Sequence, residues 1–184
     1  DLTHQLLTFA KGGVPVKRMV SLPGLIKEAA GFALRGSRSR CEFSLPPDLC
    51  AVEADEGQLS QVIHNLIINA DQAMPAGGTI SVSGENVTIG PGDGLPLHAG
   101  TYVKLSVQDR GIGIPKEHFT RIFDPYFTTK QKGSGLGLAT TYSIIKRHDG
   151  QITVESELGV GALFHIYLPA AGRCHREEGH EEAK

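Results

Sequence analysis

Asp109-Arg110-Gly111-Ile112-Gly113 and, a short gap later, Gly133-Ser134-Gly135-Leu136-Gly137-Leu138 are the stretches on which the reading of this chain turns. The first closes an apolar alternation, Val103, Leu105, Val107, so Asp109 keeps the parity of an inward strand face and ends it with a carboxylate. The second runs straight into a helical pattern over residues 136–148, which Gly150 stops. A strand-end carboxylate followed by a glycine-rich helix start is an unusual order, and the rest of the chain is best read outward from it.

Upstream, Asp55 reads as an N-cap, with Gln58 three residues on in a capping-box arrangement. The helix it opens carries Leu59, Val62, Ile63, Leu66, Ala70 and Ala73 on one face, and Met74-Pro75-Ala76-Gly77-Gly78 ends it. Ser21 before Pro23 starts another helix that runs to about Leu34. Short strands are expected at 41–45 and 51–53, and a longer one from Ile80 and Val82 toward Ile89. Residues 115–122 read as a short helix. Residues 123–134 have no clean period and read as a mobile loop. Residues 151–156 and 162–168 form a hairpin around Leu158-Gly159. Leu2, Leu6, Leu7 and Phe9 sit at helical spacing, but ten residues do not hold a helix alone, so this stretch reads as the end of a longer one. After Pro169 the chain is polar and reads as a frayed tail. Helices and antiparallel-looking strands mix without strict βαβ alternation. That pattern predicts an α/β fold, a two-layer sandwich with helices on one face of a mixed sheet.

The bulk numbers exclude several classes. At 184 residues, 40% hydrophobic and 21% charged, the chain fits one globular domain with short extensions. A net charge of −2 offers no basic field, so no nucleic-acid partner is expected. No apolar run approaches the roughly 20 residues that span a bilayer, and no signal-peptide pattern opens the chain, so the expected place is cytoplasmic. Cys41, Cys50 and Cys174, odd in number and widely spaced, argue against a disulfide framework and for a reducing compartment. Semi-buried thiols are the expectation, with a Cys41–Cys50 pair as the alternative. The chain lacks an initiating Met and begins inside a helical pattern, so it reads as a piece of a longer protein.

Three constellations carry chemistry. Asn65, Asn69 and Gln72 share a helical stripe to one side of the apolar face, free to look into a pocket. An Asn side-chain oxygen is a neutral, hard ligand suited to Mg²⁺, although a solvated edge of a core helix has the same pattern. Asp109, buried at a strand end, needs donors, and the exocyclic amine of adenine is one; a simple Asp-Gly turn is the other reading. Gly111 and Gly113 let backbone approach a flat base. Gly133, Gly135 and Gly137 leave bare N–H groups at a helix start, which suits phosphate. A dinucleotide fold is excluded because Phe127-Thr128-Thr129-Lys130-Gln131-Lys132, not an apolar strand, precedes them, and no Gly-Lys-Ser/Thr completes a Walker A loop. Together, and in this order, the three pieces point to ATP.

These motifs resemble the ATP-binding catalytic domain of two-component sensor histidine kinases, in the GHKL ATPase family with DNA gyrase B, mismatch-repair ATPases and the large heat-shock chaperones. Asn65-Leu66-Ile67-Ile68-Asn69-Ala70 is similar to the N box, Asp109 to Pro115 to the first glycine box, Ile122-Phe123-Asp124-Pro125-Tyr126-Phe127 to the F box, and Gly133 to Leu138 to the second glycine box. Gly159-Val160-Gly161-Ala162-Leu163-Phe164 resembles the last glycine motif, and Gln72-Ala73-Met74-Pro75 with Phe127-Thr128-Thr129-Lys130 the nitrogen-regulation-type subfamily. The resemblance implies the Bergerat-type ATP-binding fold over residues 13–170, the end of a dimerisation helix over 1–12 and a flexible tail over 171–184. It implies Mg²⁺ on Asn69, with Asn65 beside it at the triphosphate, where ATPase relatives carry a glutamate base; its replacement suits transfer to histidine rather than hydrolysis. Asp109 would read adenine, Gly111 and Gly113 shape the base pocket, and Phe123 and Phe127 anchor a lid. Lys130 and Lys132 would meet the γ-phosphate, with Asn65 and Lys130 as the catalytic pair. Thr128, Thr129, Ser134, Leu136 and Leu138 complete the nucleotide site with Gly133, Gly135 and Gly137. Gln72 stands where many relatives have a phosphate-contacting Lys, and Ala162 where a Thr is usual. The implied partners are the protein's own dimerisation helices, which carry the acceptor histidine, and a response-regulator receiver domain. This chain alone is expected to be monomeric and the full-length protein a homodimer, with membrane anchoring of the full-length protein left open. A nucleotide-sensing module without phosphotransfer is the alternative.

Overall fold

The alternation ending at Asp109 is the middle strand of a five-stranded sheet. The computed structural model describes residues 13–172 and Cys174; the expected helix end over 1–12 and most of the tail lie outside the described residues. The strands are β1 (Arg18–Val20), β2 (Arg40–Ser44), β3 (Val52–Ala54), β4 (Thr79–Ile89), β5 (Gly100–Gln108), β6 (Gln151–Glu157) and β7 (Gly161–Pro169). The helices are α1 (Leu22–Ala33), α2 (Glu56–Gln72) and α3 (Gly137–Arg147). The main sheet runs β2-β4-β5-β7-β6, with β1 and β3 as a separate antiparallel pair. Its pairings are antiparallel except β2 with β4, which are parallel.

Side-chain parity sorts the two faces of this sheet. Ile80, Val82, Val103, Leu105, Val107, Ile152, Phe164, Ile166 and Leu168 are buried in one core with Ile26, Ala30, Leu66, Ile67 and Ile145 of the helices. The opposite face carries Ser106 paired with His165 and Glu85 paired with Lys104. This is the two-layer α/β arrangement of the Bergerat-type fold, with its helices on one face. Each aliphatic side chain taken fully out of water contributes about 1.5–3 kcal/mol, so the alternation itself fixes which face the helices cover.

The start of α2, which sets the angle of the asparagine stripe, is held from three sides. Asp55 caps it, its Oδ1 accepting from Gln58 N–H at 3.1 Å, while its Oδ2 accepts from Val16 N–H at 3.0 Å. Only half of the expected capping box forms, because Gln58 Oε1 is buried without a partner. The Asp55 N–H instead donates to Nε2 of His148, at 3.0 Å, from the end of α3. A tertiary contact has replaced the local one.

Three other expectations are corrected. Residues 115–122 are not a continuous helix: a single 3-10 turn, Lys116–His118, is followed by further turns. Cys50 and Cys174 are not free thiols but form a disulfide with Cα atoms 4.9 Å apart, and Cys41 alone remains free among the described residues. Their 124-residue separation hid the pair. Finally, the chain does not let go at 171. Ala170 N–H donates to Thr101 O at 3.0 Å and Ala171 N–H to Ala51 O at 2.8 Å, which carries Cys174 to Cys50.

Candidate functional site

A cavity of about 450 Å³ opens between α2, the end of β5, the start of β7 and the segment leading into α3. Asn65, Asn69, Asp109, Gly113, Phe127, Thr128, Thr129, Lys130, Lys132, Gly133, Ser134, Gly135, Gly137 and Leu138 all line it. Three expected residues stand behind the wall. Gly111 donates its N–H to Asp109, Leu136 is fully buried, and Phe123 packs on Tyr142 of α3 with ring centroids 5.5 Å apart.

Asp109 is 5% exposed, one step past the end of β5. Its Oδ1 accepts from Gly111 N–H at 2.9 Å and Ala162 N–H at 3.3 Å. Both bonds fall on one oxygen, which leaves Oδ2 as the acceptor for an incoming donor. Burial pushes the carboxyl above its ordinary value, opposed by those two N–H bonds and by the charge of Lys130. Gly161 makes the Ala162 bond attainable: a Cβ there would lie 2.1 Å from Asp109 O, and its φ is +139°.

The asparagine stripe divides by depth. Asn65 is 5% exposed, and its Nδ2 donates to Gly137 O at 3.1 Å and Thr141 Oγ1 at 3.4 Å, tying α2 to the start of α3. Asn69 and Gln72 lie further out, and their amide oxygens both accept from Lys130 Nζ, at 3.3 and 2.6 Å. Burial lowers the Lys130 ammonium below its ordinary value, and the charge of Asp109 partly restores it. Both amide oxygens are neutral, hard acceptors, and both point at the same cation, the Lys130 ammonium.

The segment expected to form a lid is tied down at its start and end. Phe127 packs edge-on against His118, centroids 5.3 Å apart, and Arg121 lies over the Phe127 ring at 4.7 Å. Thr128 Oγ1 accepts from Lys130 N–H at 3.0 Å, and Tyr126 N–H donates to Gly135 O at 2.8 Å. Gly135 has φ +68°, and a Cβ there would meet the Tyr126 carbonyl carbon at 2.4 Å. Ile68, Ile114, Ile122 and Phe164 lie within the quoted motifs but are given no role there, and they form the cavity's apolar wall with His64 and His118 beside them. Phe164 shares parity with Ile166 and Leu168, which was a usable signal; no spacing announces the others.

Fold and site together define a nucleotide-binding α/β domain. Residues 54–172 match the family described as histidine kinase-, DNA gyrase B-, and HSP90-like ATPase. The chain belongs to that family. It is 37% identical over 178 residues to sensor kinase CckA of Brucella abortus (strain 2308), covering 92% of this chain and 19% of the relative. It is 42% identical over 137 residues to sensor histidine kinase ZraS of Klebsiella oxytoca, covering 74% and 27%. It thus spans about a fifth to a quarter of the length of these two relatives. Among solved structures, full-length ShkA in complex with AMPPNP superposes with TM-score 0.75 at 27% identity, covering 95% of this chain and 36% of that one. The nucleotide-free catalytic domain of histidine kinase ThkA gives TM-score 0.68 at 31% identity, covering 84% and 95%.

Proposed function

We propose that the cavity binds Mg·ATP and that the chain is the catalytic domain of a sensor histidine kinase, supplying the γ-phosphate to a histidine on a dimerisation helix of the same protein. The observation that carries this reading is Asp109, buried, with one oxygen taken by the N–H groups of Gly111 and Ala162 and the other left for a donor. Adenine offers an exocyclic N–H there, whereas guanine offers an acceptor oxygen. Asn69 would hold the metal, which would supply charge neutralisation at the phosphates. Lys130 and Lys132 approach the phosphates from the lid, and the backbone at 133–137 meets them at the start of α3.

Asn65 cannot act as a base. Its amide takes up no proton, and its Nδ2 is committed to Gly137 and Thr141. The chain's work is therefore positioning and charge compensation, which suits transfer to a histidine better than activation of water. A receiver domain of a response regulator would take the phosphate onward. No described helix is long and apolar enough to cross a membrane. Titration calorimetry with Mg·ATP and Mg·GTP tests the assignment: ATP binds and GTP does not. Equal binding of the two refutes the role given to Asp109.

A further inference from the structure

We propose that the amide oxygens of Asn69 and Gln72 form a cradle that, without nucleotide, holds the Lys130 ammonium and fastens the lid across the cavity, so that a divalent cation reaches Asn69 by displacing that ammonium. Only the second half rests on the function proposed above.

The geometry is specific. One ammonium bridges two oxygens on the same face of α2, at 2.6 Å to Gln72 Oε1 and 3.3 Å to Asn69 Oδ1. Lys130 is half-buried, so the contacts it gives up with water must be replaced by protein oxygens. Lys130 is also tied to its own loop: its N–H donates to Thr128 Oγ1 at 3.0 Å, and its carbonyl accepts from Gly133 N–H at 3.3 Å. Holding Nζ therefore holds the turn around it. Lys132, on the same segment and also lining the cavity, makes no such contact with the two amides.

The chemistry makes the latch reversible. Neutral amides attract an ammonium less strongly than carboxylates would, and Asp109, whose charge also acts on Lys130, lines the same cavity, so the ammonium can leave the amides without leaving that field. The same hard oxygens suit a divalent cation. An ammonium and a divalent cation repel at this range, so the two do not share the cradle. With a divalent cation at Asn69, the Lys130 ammonium would leave the amides and be free to meet the phosphates.

The test uses the whole chain without nucleotide. Gln72 is exposed on α2, and Leu is an equally good helix former, so Gln72→Leu leaves the fold intact. Hydrogen exchange followed by mass spectrometry reads the lid: residues 128–135 exchange about three- to tenfold faster in Gln72→Leu and Lys130→Met than in the wild type. They exchange more slowly in Gln72→Glu, which turns the cradle into an ion pair. Mn²⁺ alone reads the displacement through broadening of the Asn69 side-chain amide signals. Lys130→Met responds at about tenfold lower Mn²⁺ than the wild type, while Lys132→Met stays near wild type. Equal exchange in all four proteins overturns the latch. An equal Mn²⁺ response in Lys130→Met and Lys132→Met overturns the displacement, because charge alone would then explain it. Calorimetry of the wild type with Mg·ATP reads separately whether the cavity takes nucleotide at all.

Discussion

Asp109 shows at the scale of one residue how recognition and stability pull apart. Burial raises its carboxyl above the ordinary value of 3.8 despite two N–H bonds and Lys130. The folded chain thus binds this proton more tightly than the unfolded one. Its contribution to stability is full below 3.8 and is lost as pH rises through the raised value. At neutral pH the carboxylate costs folding free energy, a cost that the proposed adenine recognition would account for. Asp109→Asn keeps an oxygen for Gly111 and Ala162 while removing the charge. The expected outcome is an unfolding midpoint at neutral pH no lower than wild type. ATP binding is weakened by about 2 kcal/mol or more, because a charge-assisted acceptor is gone. Thermal melts and calorimetry on the same samples separate the two effects. A variant that melts well below wild type would reassign Asp109 to the scaffold. Asn69 makes the complementary case for the metal: Asn69→Ala should abolish the Mg²⁺ dependence of nucleotide binding, measured by titration with and without the ion. Persistence of that dependence would move the metal elsewhere.

At the scale of elements, the site depends on junctions that no local pattern announces. His148 is 2% exposed and uses both ring nitrogens, Nδ1 toward Ile144 O at 2.8 Å and Nε2 accepting from Asp55 N–H. His148→Leu leaves that N–H without a partner, for a loss of about 1–3 kcal/mol in urea unfolding. A loss under half of that would mean water replaces the ring. Gly161→Ala acts at the other junction. Its Cβ meets backbone at Asp109, which cannot yield as a side chain would, so β7 must shift and Ala162 must release the carboxylate. ATP affinity should fall at least about tenfold, with a stability cost on the order of 1–3 kcal/mol. These junctions mark the limit of what was legible. The period of α2, the parity of β5 and the glycine-rich start of α3 were readable because each is a local repeat tied to burial. The pairing of β1 with β3 was not, since Arg18, Met19 and Val20 bury only one side chain between them. Nor was the parallel pairing of β2 with β4, or the disulfide, which exist only once distant segments have met. The Lys130 cradle is of the same kind: the sequence names its three residues, but only the folded lid brings 130 to 69 and 72.

At the scale of the whole molecule, the arrangement of histidines argues that this chain by itself does not complete the phosphotransfer. His148 is buried with both nitrogens engaged. His165 is paired with Ser106 and Glu155, on the opposite face from Phe164, which lines the cavity. His98 lies in the loop before β5, whereas Asp109 follows its other end; nine residues of extended strand separate them by roughly 30 Å. His64 and His118 sit in the cavity wall itself, His64 against the Phe32 ring and His118 against Phe127. The family resemblance implies an acceptor histidine followed by an acidic residue and, a few positions on, a proline, and none of these five has that pattern. His4, His175 and His180 lie outside the described residues. Incubated with γ-labelled ATP, this chain should therefore gain no acid-labile phosphate. A chain that includes the dimerisation helices, or those helices added in trans, should become labelled. Peptide mapping under alkaline conditions makes the outcome unambiguous. Label on His64 or His118 would make the cavity wall its own acceptor, and label on His4 would bring the acceptor helix inside the chain. Either result would replace a domain that presents phosphate with one that keeps it.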